Sequence, residues 1–360
     1  MVFIKYKGSR NFRQIIICAT LSGHAVRIEE IHSEDPTPGL KEFEISFLRL
    51  VEKVTNGCVI EINTTGTSVY YKPGIIVGGT ITHDCTGSGR SIGYYLEGIL
   101  PIAPFGKMPL NVTFEGITND NMDPSVDLIK SVMLPNIVRF GGVEPEGVEL
   151  RILRRGSYPR GGGKVIFVCP VAKVMKPTQL LDEGLIRRIR GVAYCAKMSP
   201  QTANRMIESA RSVLNGYARD VFLFSDFRKG DDGGKGPGFA IALVAETTTG
   251  CLLSAEVAGG AGDIPEEVGL KAANLLLEEI AKRGCVDTMS QWICLLMMIL
   301  SPEDVSKIRL GKLSQFTIDC LRLYKEMFGI QFKVVPDPES KTVIMSCLGM
   351  GYTNIAKRIY

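Results

Sequence analysis

The chain is poor in the residues that most often carry chemistry. Three histidines, His24, His32 and His83, all fall in the first quarter of its 360 residues, so a nucleophile or general base further along must be another residue type. Ten cysteines are scattered singly, at positions 18, 58, 85, 169, 195, 251, 285, 294, 320 and 347, with no CxxC pair and no Cys/His cluster at metal spacing. No metal site is expected on that pattern. Most of them sit in apolar runs such as Ile15-Ile-Ile-Cys18 and Val165-Ile-Phe-Val-Cys169, and read as reduced, buried thiols of a cytosolic or nuclear protein. Long apolar stretches are also missing. The longest, Trp292-Ile-Cys-Leu-Leu-Met-Met-Ile-Leu300, is about half of what a bilayer demands, so no membrane span is expected. The start, Met1-Val-Phe-Ile-Lys-Tyr-Lys7, reads as a strand without the apolar core of a signal peptide. Nucleotide motifs fail as well. Gly87-Ser-Gly-Arg-Ser-Ile-Gly93 has the wrong glycine spacing for a dinucleotide fingerprint, and Gly161-Gly-Gly-Lys164 lacks both the Walker spacing and the following Ser or Thr. No cofactor is expected from these segments.

What the chain does have is a large apolar content and a polarised charge. With 45% hydrophobic residues and a mean hydropathy of +0.13, it can bury one big or two ordinary domains. The formal net charge of +4 hides an asymmetry: residues 151–206 carry twelve Lys or Arg against two acids, Asp182 and Glu183, while the rest holds thirty cations and thirty-six acids. A basic block interleaved with Gly161-Gly-Gly163 gives a polyanion both charge and close backbone access, and RNA or DNA is the natural ligand. The plainer reading is a solvated face that keeps the protein soluble. Arg151 lies in a strand whose Leu150 and Ile152 face the other way, and Arg154, Arg155, Arg160 and Lys164 flank its turn. These cations are expected to be exposed together.

One unit recurs along the chain: an amphipathic helix ending at glycine or asparagine, then a strand, a turn and a second strand. Copies run from Lys41 to Tyr71, from Ser125 to Cys169 and from Leu313 to Cys347. Helix-and-hairpin units of this kind bury one another's faces. The fold class is therefore α+β, with three repeated helix-on-sheet (βαβαββ-like) modules forming a large domain. Residues 1–178 hold the first two modules, 179–284 a small inserted α/β domain, and 285–360 the third module. The inserted loop Phe227-Arg-Lys-Gly-Asp-Asp-Gly-Gly-Lys-Gly-Pro-Gly238 has the composition of a mobile surface segment. Asp120, Asp123 and Asp127 could gather around magnesium, but Asp123-Pro124 fits a helix start better, with Asp123 as N-cap.

Taken in order, several motifs resemble one family across essentially the whole chain. Ile4-Lys-Tyr-Lys-Gly-Ser-Arg10, Pro38-Gly-Leu40, Tyr71-Lys-Pro-Gly-Ile-Ile-Val-Gly-Gly79, Glu115-Gly-Ile-Thr-Asn-Asp120, Tyr158-Pro-Arg-Gly-Gly-Gly163, Gly236-Pro-Gly238, Cys285-Val-Asp287 and Ser346-Cys-Leu-Gly-Met-Gly-Tyr-Thr-Asn354 are similar to those of the RNA 3′-terminal phosphate cyclases. The resemblance implies three helix-on-sheet modules with a small domain inserted before the last. It also implies where this chain departs. Cyclases carry a glycine-rich acidic loop after Gly-Ser-Arg; here stands Asn11-Phe-Arg-Gln14. Cyclases place the histidine that becomes adenylylated near the start of the last module's helix, where this chain has Phe316. A phenyl ring has no nitrogen with which to attack a phosphate. Phe316 also falls in the apolar stripe Leu313, Phe316, Cys320, Tyr324, Phe328, which reads as core packing. After Cys285-Val-Asp287 the family's acidic run has become Thr288-Met-Ser-Gln-Trp292.

These losses resemble the eukaryotic cyclase-like branch. That implies a nuclear, nucleolar ribosome-assembly factor of the small subunit, without cyclase activity, acting in early pre-rRNA processing. The implied partners are pre-ribosomal RNA, a small nucleolar ribonucleoprotein and a large nucleolar GTPase. The competing reading is a pre-rRNA endonuclease, for which the polar stripe Gln315, Asp319, Arg322 and Lys325 of the last helix offers anion contacts; an active cyclase ranks behind both. Candidate RNA-contacting residues are Arg10, Arg13, Arg151, Arg154, Arg155, Arg160, Lys164, Arg322 and Lys325.

Overall fold

The computed structural model describes residues 3–141, 143–172 and 174–354. Its fold is mixed α+β, and one topology appears three times. In the first unit β1 (Ile4–Lys7) leads through α1 (Phe12–Ser22) to β2 (Val26–Glu29), and α2 (Glu42–Val54) leads past the short β3 (Thr55–Asn56) into the hairpin β4 (Val59–Ile62) and β5 (Val69–Lys72). β1 and β2 are parallel and β5 lies antiparallel between β2 and β4, in the order β1-β2-β5-β4. After β6 (Ile75–Ile76) the second unit runs through β7 (Gly79–Asp84), α3 (Ile92–Ile99) and β8 (Leu110–Gly116). A helical stretch follows, α4 (Val126–Leu128), a π turn (Ile129–Met133) and α5 (Leu134–Arg139), and then the hairpin β9 (Glu149–Arg154) and β10 (Gly163–Cys169). The sheet order, β7-β8-β10-β9, repeats that of the first.

The third unit is split. Its first strand, β11 (Gln179–Leu180), pairs in parallel with β16 (Val305–Leu310), whose partners β18 (Thr342–Leu348) and β17 (Lys333–Asp337) complete the order β11-β16-β18-β17. Between β11 and the helices α8 (Gln291–Ile299) and α9 (Gln315–Phe328) sits a separate sheet. It comprises β12 (Ile186–Ala196), α6 (Gln201–Leu214), β13 (Val221–Arg228), β14 (Gly238–Thr247), β15 (Leu252–Gly259) and α7 (Pro265–Ala281), with strand order β13-β12-β14-β15. Of the segment 179–284, residues 179–180 thus belong to the last module's sheet, and the inserted sheet begins at Ile186.

The elements follow from their patterns. β8 and β10 alternate strictly, with Leu110, Val112, Phe114, Val165 and Phe167 buried, as sheets covered on one face require. α8 is buried all round and is the longest apolar run of the sequence. It packs in one core with α1, α3, α5 and α9, and truncating one of its leucines to alanine is expected to cost about 2–5 kcal/mol. α9 by contrast buries one stripe, Cys320, Leu323, Tyr324 and Met327. The hydroxyl of Ser314 caps it by accepting from Thr317 N at 3.1 Å, and it stops at Gly329 in the left-handed region (φ 68°). The inserted sheet has its own core, built from Ile189, Leu243, Met206 and Leu276. Polar contacts fasten it to the large domain: the Asn121 side chain pairs with both backbone groups of Ala258, at 2.7 and 2.8 Å, and Ser125 N donates to Glu256 Oε1 at 2.8 Å.

Candidate nucleic-acid interface

The three segments expected to depart from the cyclase pattern meet in space. Phe316, in the first turn of α9, is half-buried and sets its ring edge against Trp292, with centroids 6.3 Å apart and planes at 73°. Of the stripe expected to form core, Cys320 and Tyr324 reach full burial while Leu313, Phe316 and Phe328 stay partly open. Trp292 is buried and donates its indole N–H to Glu97 Oε1 at 2.8 Å. The other oxygen of Glu97 holds the guanidinium of Arg13, which also donates to Tyr94 O at 2.6 Å and lies 4.5 Å above the Tyr94 ring. Arg13, with 9% of its surface exposed, is therefore no surface cation. Its charge is spent on a buried carboxylate, which must be paired in a low-dielectric site. Phe316, Trp292, Glu97 and Arg13 together form an aromatic and ionic plug at the start of α9.

The remaining candidates fall into two groups. Arg10 reaches across to α9 and pairs with Asp319 Oδ2 at 2.6 Å, while Arg322 approaches the other oxygen at 3.4 Å. Lys325 is exposed one turn further on. The second group belongs to the β9–β10 hairpin. Arg154 stands opposite Lys164 and Arg151 opposite Ile166, so all three share the face away from buried Leu150 and Val165. Arg151 and Lys164 make surface pairs with Glu149 at 2.7 Å and Glu115 at 3.0 Å. Arg154 donates its Nε–H to Gly162 O, and Arg160 is exposed in the turn.

Arg155 breaks from this set. Only 3% exposed, it is clamped between Asp127 and Asp226, with 2.9 and 2.8 Å bonds, and sits 4.6 Å over the Tyr194 ring. Burial opposes ionisation of Asp127, yet the adjacent Arg155 charge holds its carboxyl below the usual range. The same two acids keep Arg155 charged despite its burial. It is a joint between the second module and the inserted domain, and it presents no charge to a ligand.

The glycines read as backbone access for a polyanion are covered. All three are buried: Gly161 and Gly162 lie under the segment 230–236, where Lys235 N donates to Gly161 O at 2.9 Å and Arg155 N to Asp232 O at 2.9 Å, and Gly163 packs on Gly116, Thr118 and Gly156. A Cβ on Gly234, at φ +73°, would stand 2.3 Å from Arg155 O. This loop, expected to be mobile, is docked, and glycine is what permits the approach. Beside it opens a cleft of about 980 Å³, lined by residues 119–122, 157–160 and 236–239, Tyr194 and residues 258–263. Three of the family-like motifs, around Asn119, Tyr158 and Gly236, thus line one cavity.

The aspartates do not converge. Asp123 holds Arg90 through a 2.8 Å bond, Asp120 accepts from Asp123 N at 2.8 Å, and Asp127 holds Arg155. Nor is Asp123 the N-cap. The helix begins at Val126, and Ser125 caps it by accepting from Leu128 N at 3.1 Å. Of the histidines, His83 is buried against Tyr95 and Phe114; burial first, then nearby Lys53, lowers its pKa to about 4. Sequence reasoning missed Asp226, Tyr194 and Asn121, each of which acts through a partner more than thirty residues away. No local pattern announces such contacts.

Comparison with known proteins places this architecture. A family model described as RNA 3'-terminal phosphate cyclase matches residues 4–334. A probable RNA 3'-terminal phosphate cyclase-like protein of Dictyostelium discoideum is 48% identical over 373 residues, spanning 99% of this chain and 100% of that protein. The human RNA 3'-terminal phosphate cyclase-like protein is 49% identical over 367 residues, spanning 99% and 98%. An rRNA processing protein of Schizosaccharomyces pombe is 46% identical over 359 residues, again spanning 99% and 98%. With the family model covering most of its residues and these relatives aligned along nearly all of it, the chain belongs to the RNA 3′-terminal phosphate cyclase family.

Proposed function

We propose that this protein is a non-enzymatic assembly factor of the small ribosomal subunit, acting in early pre-rRNA processing in the nucleolus. It uses the cyclase scaffold as a docking surface for pre-ribosomal RNA, a small nucleolar ribonucleoprotein and a large GTPase. The observation that carries this reading is Phe316 at the nucleophile position, packed against Trp292 beside the buried Arg13–Glu97 pair. Without a nucleophilic atom there, no phosphoramidate can form. Relatives named rRNA processing proteins support the process, and the exposed hairpin cations support RNA as the ligand.

Two incubations test it. With radiolabelled ATP, neither the wild-type protein nor Phe316→His should yield a labelled, acid-labile band, because the plug leaves the imidazole without a neighbouring nucleotide site. The substitution exchanges a half-buried phenyl for a polar ring, and about 1–2 kcal/mol of stability should be lost. A labelled His variant would mean that one residue alone had silenced an intact enzyme. With a short precursor RNA and magnesium, the protein should bind without cutting. Cleavage abolished by Asp319→Ala or Arg322→Ala would establish the endonuclease instead.

A further inference from the structure

The inserted sheet has one open corner. Helices α6 and α7 cover one face through Ile189, Leu223 and Leu243. The large domain covers the other face along β14 and β15, where Val244 joins the large core and Glu256 takes Ser125 N. The edge strand β13 is left open on that second face, with Phe222 51% and Phe224 52% exposed. The two rings meet edge to face at 4.5 Å and 83°. Contiguous phenyl rings left in water forgo the burial that would stabilise them, and such a patch marks an interaction surface.

Its surroundings select the partner. The parallel register sets Phe222 beside Arg190 and Phe224 beside Val192. Arg190 and Arg188 each hold one acid, Asp220 at 2.8 Å and Glu246 at 2.6 Å, while Arg187 and Arg219 are exposed nearby in the chain. Two residues beyond Phe224, Asp226 accepts from Arg155 at 2.8 Å, directly after the last residue of β9. One step of about 7 Å along the strand therefore separates the aromatic pair from the root of the basic hairpin.

We propose that Phe222 and Phe224 are a stacking platform for unpaired bases of single-stranded RNA whose backbone continues onto the hairpin cations Arg151, Arg160 and Lys164. The proposal rests on the RNA-binding reading above and adds to it the element that meets bases. Every base has a π face, so such a platform favours single strands over duplexes without reading sequence.

The test uses the full-length protein with a fluorescein-labelled short single-stranded RNA and its duplex. Phe222→Leu/Phe224→Leu keeps apolar area and removes both π faces. Its single-strand affinity should fall roughly ten- to a hundredfold, with duplex affinity and salt dependence unchanged. In Phe222→Trp, indole emission should be quenched by the single strand, against a background from one buried tryptophan, Trp292. Unchanged single-strand affinity in the Leu variant would overturn the proposal and reassign the patch to a protein partner, as would an unquenched Trp variant. If hairpin variants still lose binding in that case, the RNA-binding reading stands; if the wild-type protein binds no RNA, both fall.

Discussion

Removing Arg151, Arg160 and Lys164 together, as alanines, isolates the electrostatic part of the proposed interface. On a single strand each contacted phosphate contributes a salt slope of about 0.7. One contact is then worth about 0.9 decade of affinity at ~0.05 M salt and about 0.5 decade at ~0.2 M. Three contacts amount to about 500-fold at the lower salt and about 30-fold at the higher, and the slope should flatten by about 2. The fold should hardly notice. Arg151 and Lys164 give up only exposed pairs with Glu149 and Glu115, which contribute little in water, and Arg160 has its side chain in solvent, its stem lying over Gly236. Fluorescence anisotropy across a salt series, with thermal unfolding of the same preparations, measures both quantities. An unchanged slope would show that the hairpin cations release no counterions and are a solubilising face. A large drop in melting temperature would show that affinity was lost through the fold.

Arg155 should behave in the opposite way: Arg155→Met leaves the buried Asp127 without its cation, while Asp226 keeps Arg228 at 2.6 Å, and urea unfolding should show a loss of about 3–5 kcal/mol; a loss below about 1 kcal/mol would contradict the clamp. Glu256 gives a pH signature. Burial raises its carboxyl to about 8 at the junction with Ser125, so the folded state holds a proton that the unfolded chain releases near the ordinary value. Stability from this group is complete in acid and is lost as pH rises toward about 8. Denaturation midpoints from pH 5 to 8 should fall in the wild type and vary less in Glu256→Gln; parallel curves would refute the assignment.

Much of the fold is legible in local pattern, because the pattern and the burial have the same cause. Alternation in Leu110–Gly116 and Gly163–Cys169 marks strands covered on one face, and the unbroken apolar run at 292–300 marks a helix buried all round. The helix-and-hairpin halves of the modules could be read in the same way. The split of the third module could not. β11 is two residues long and finds its partner β16 more than a hundred residues later, and a pairing of that kind leaves no local trace.

The sequence by itself determined the family and the α+β class, since both depend on which residue types occur in which order. Tertiary structure alone decided which cations are available to a ligand. Arg154 and Arg155 are adjacent and chemically identical, yet one lies on the open sheet face and the other, just past the strand end, turns inward to Asp127 and Asp226. Arg13 likewise lies three residues from exposed Arg10 but is drawn into the core by Glu97 on another helix. A charge is free or spent according to the acids that distant segments bring to it, and those segments meet only once the chain has folded.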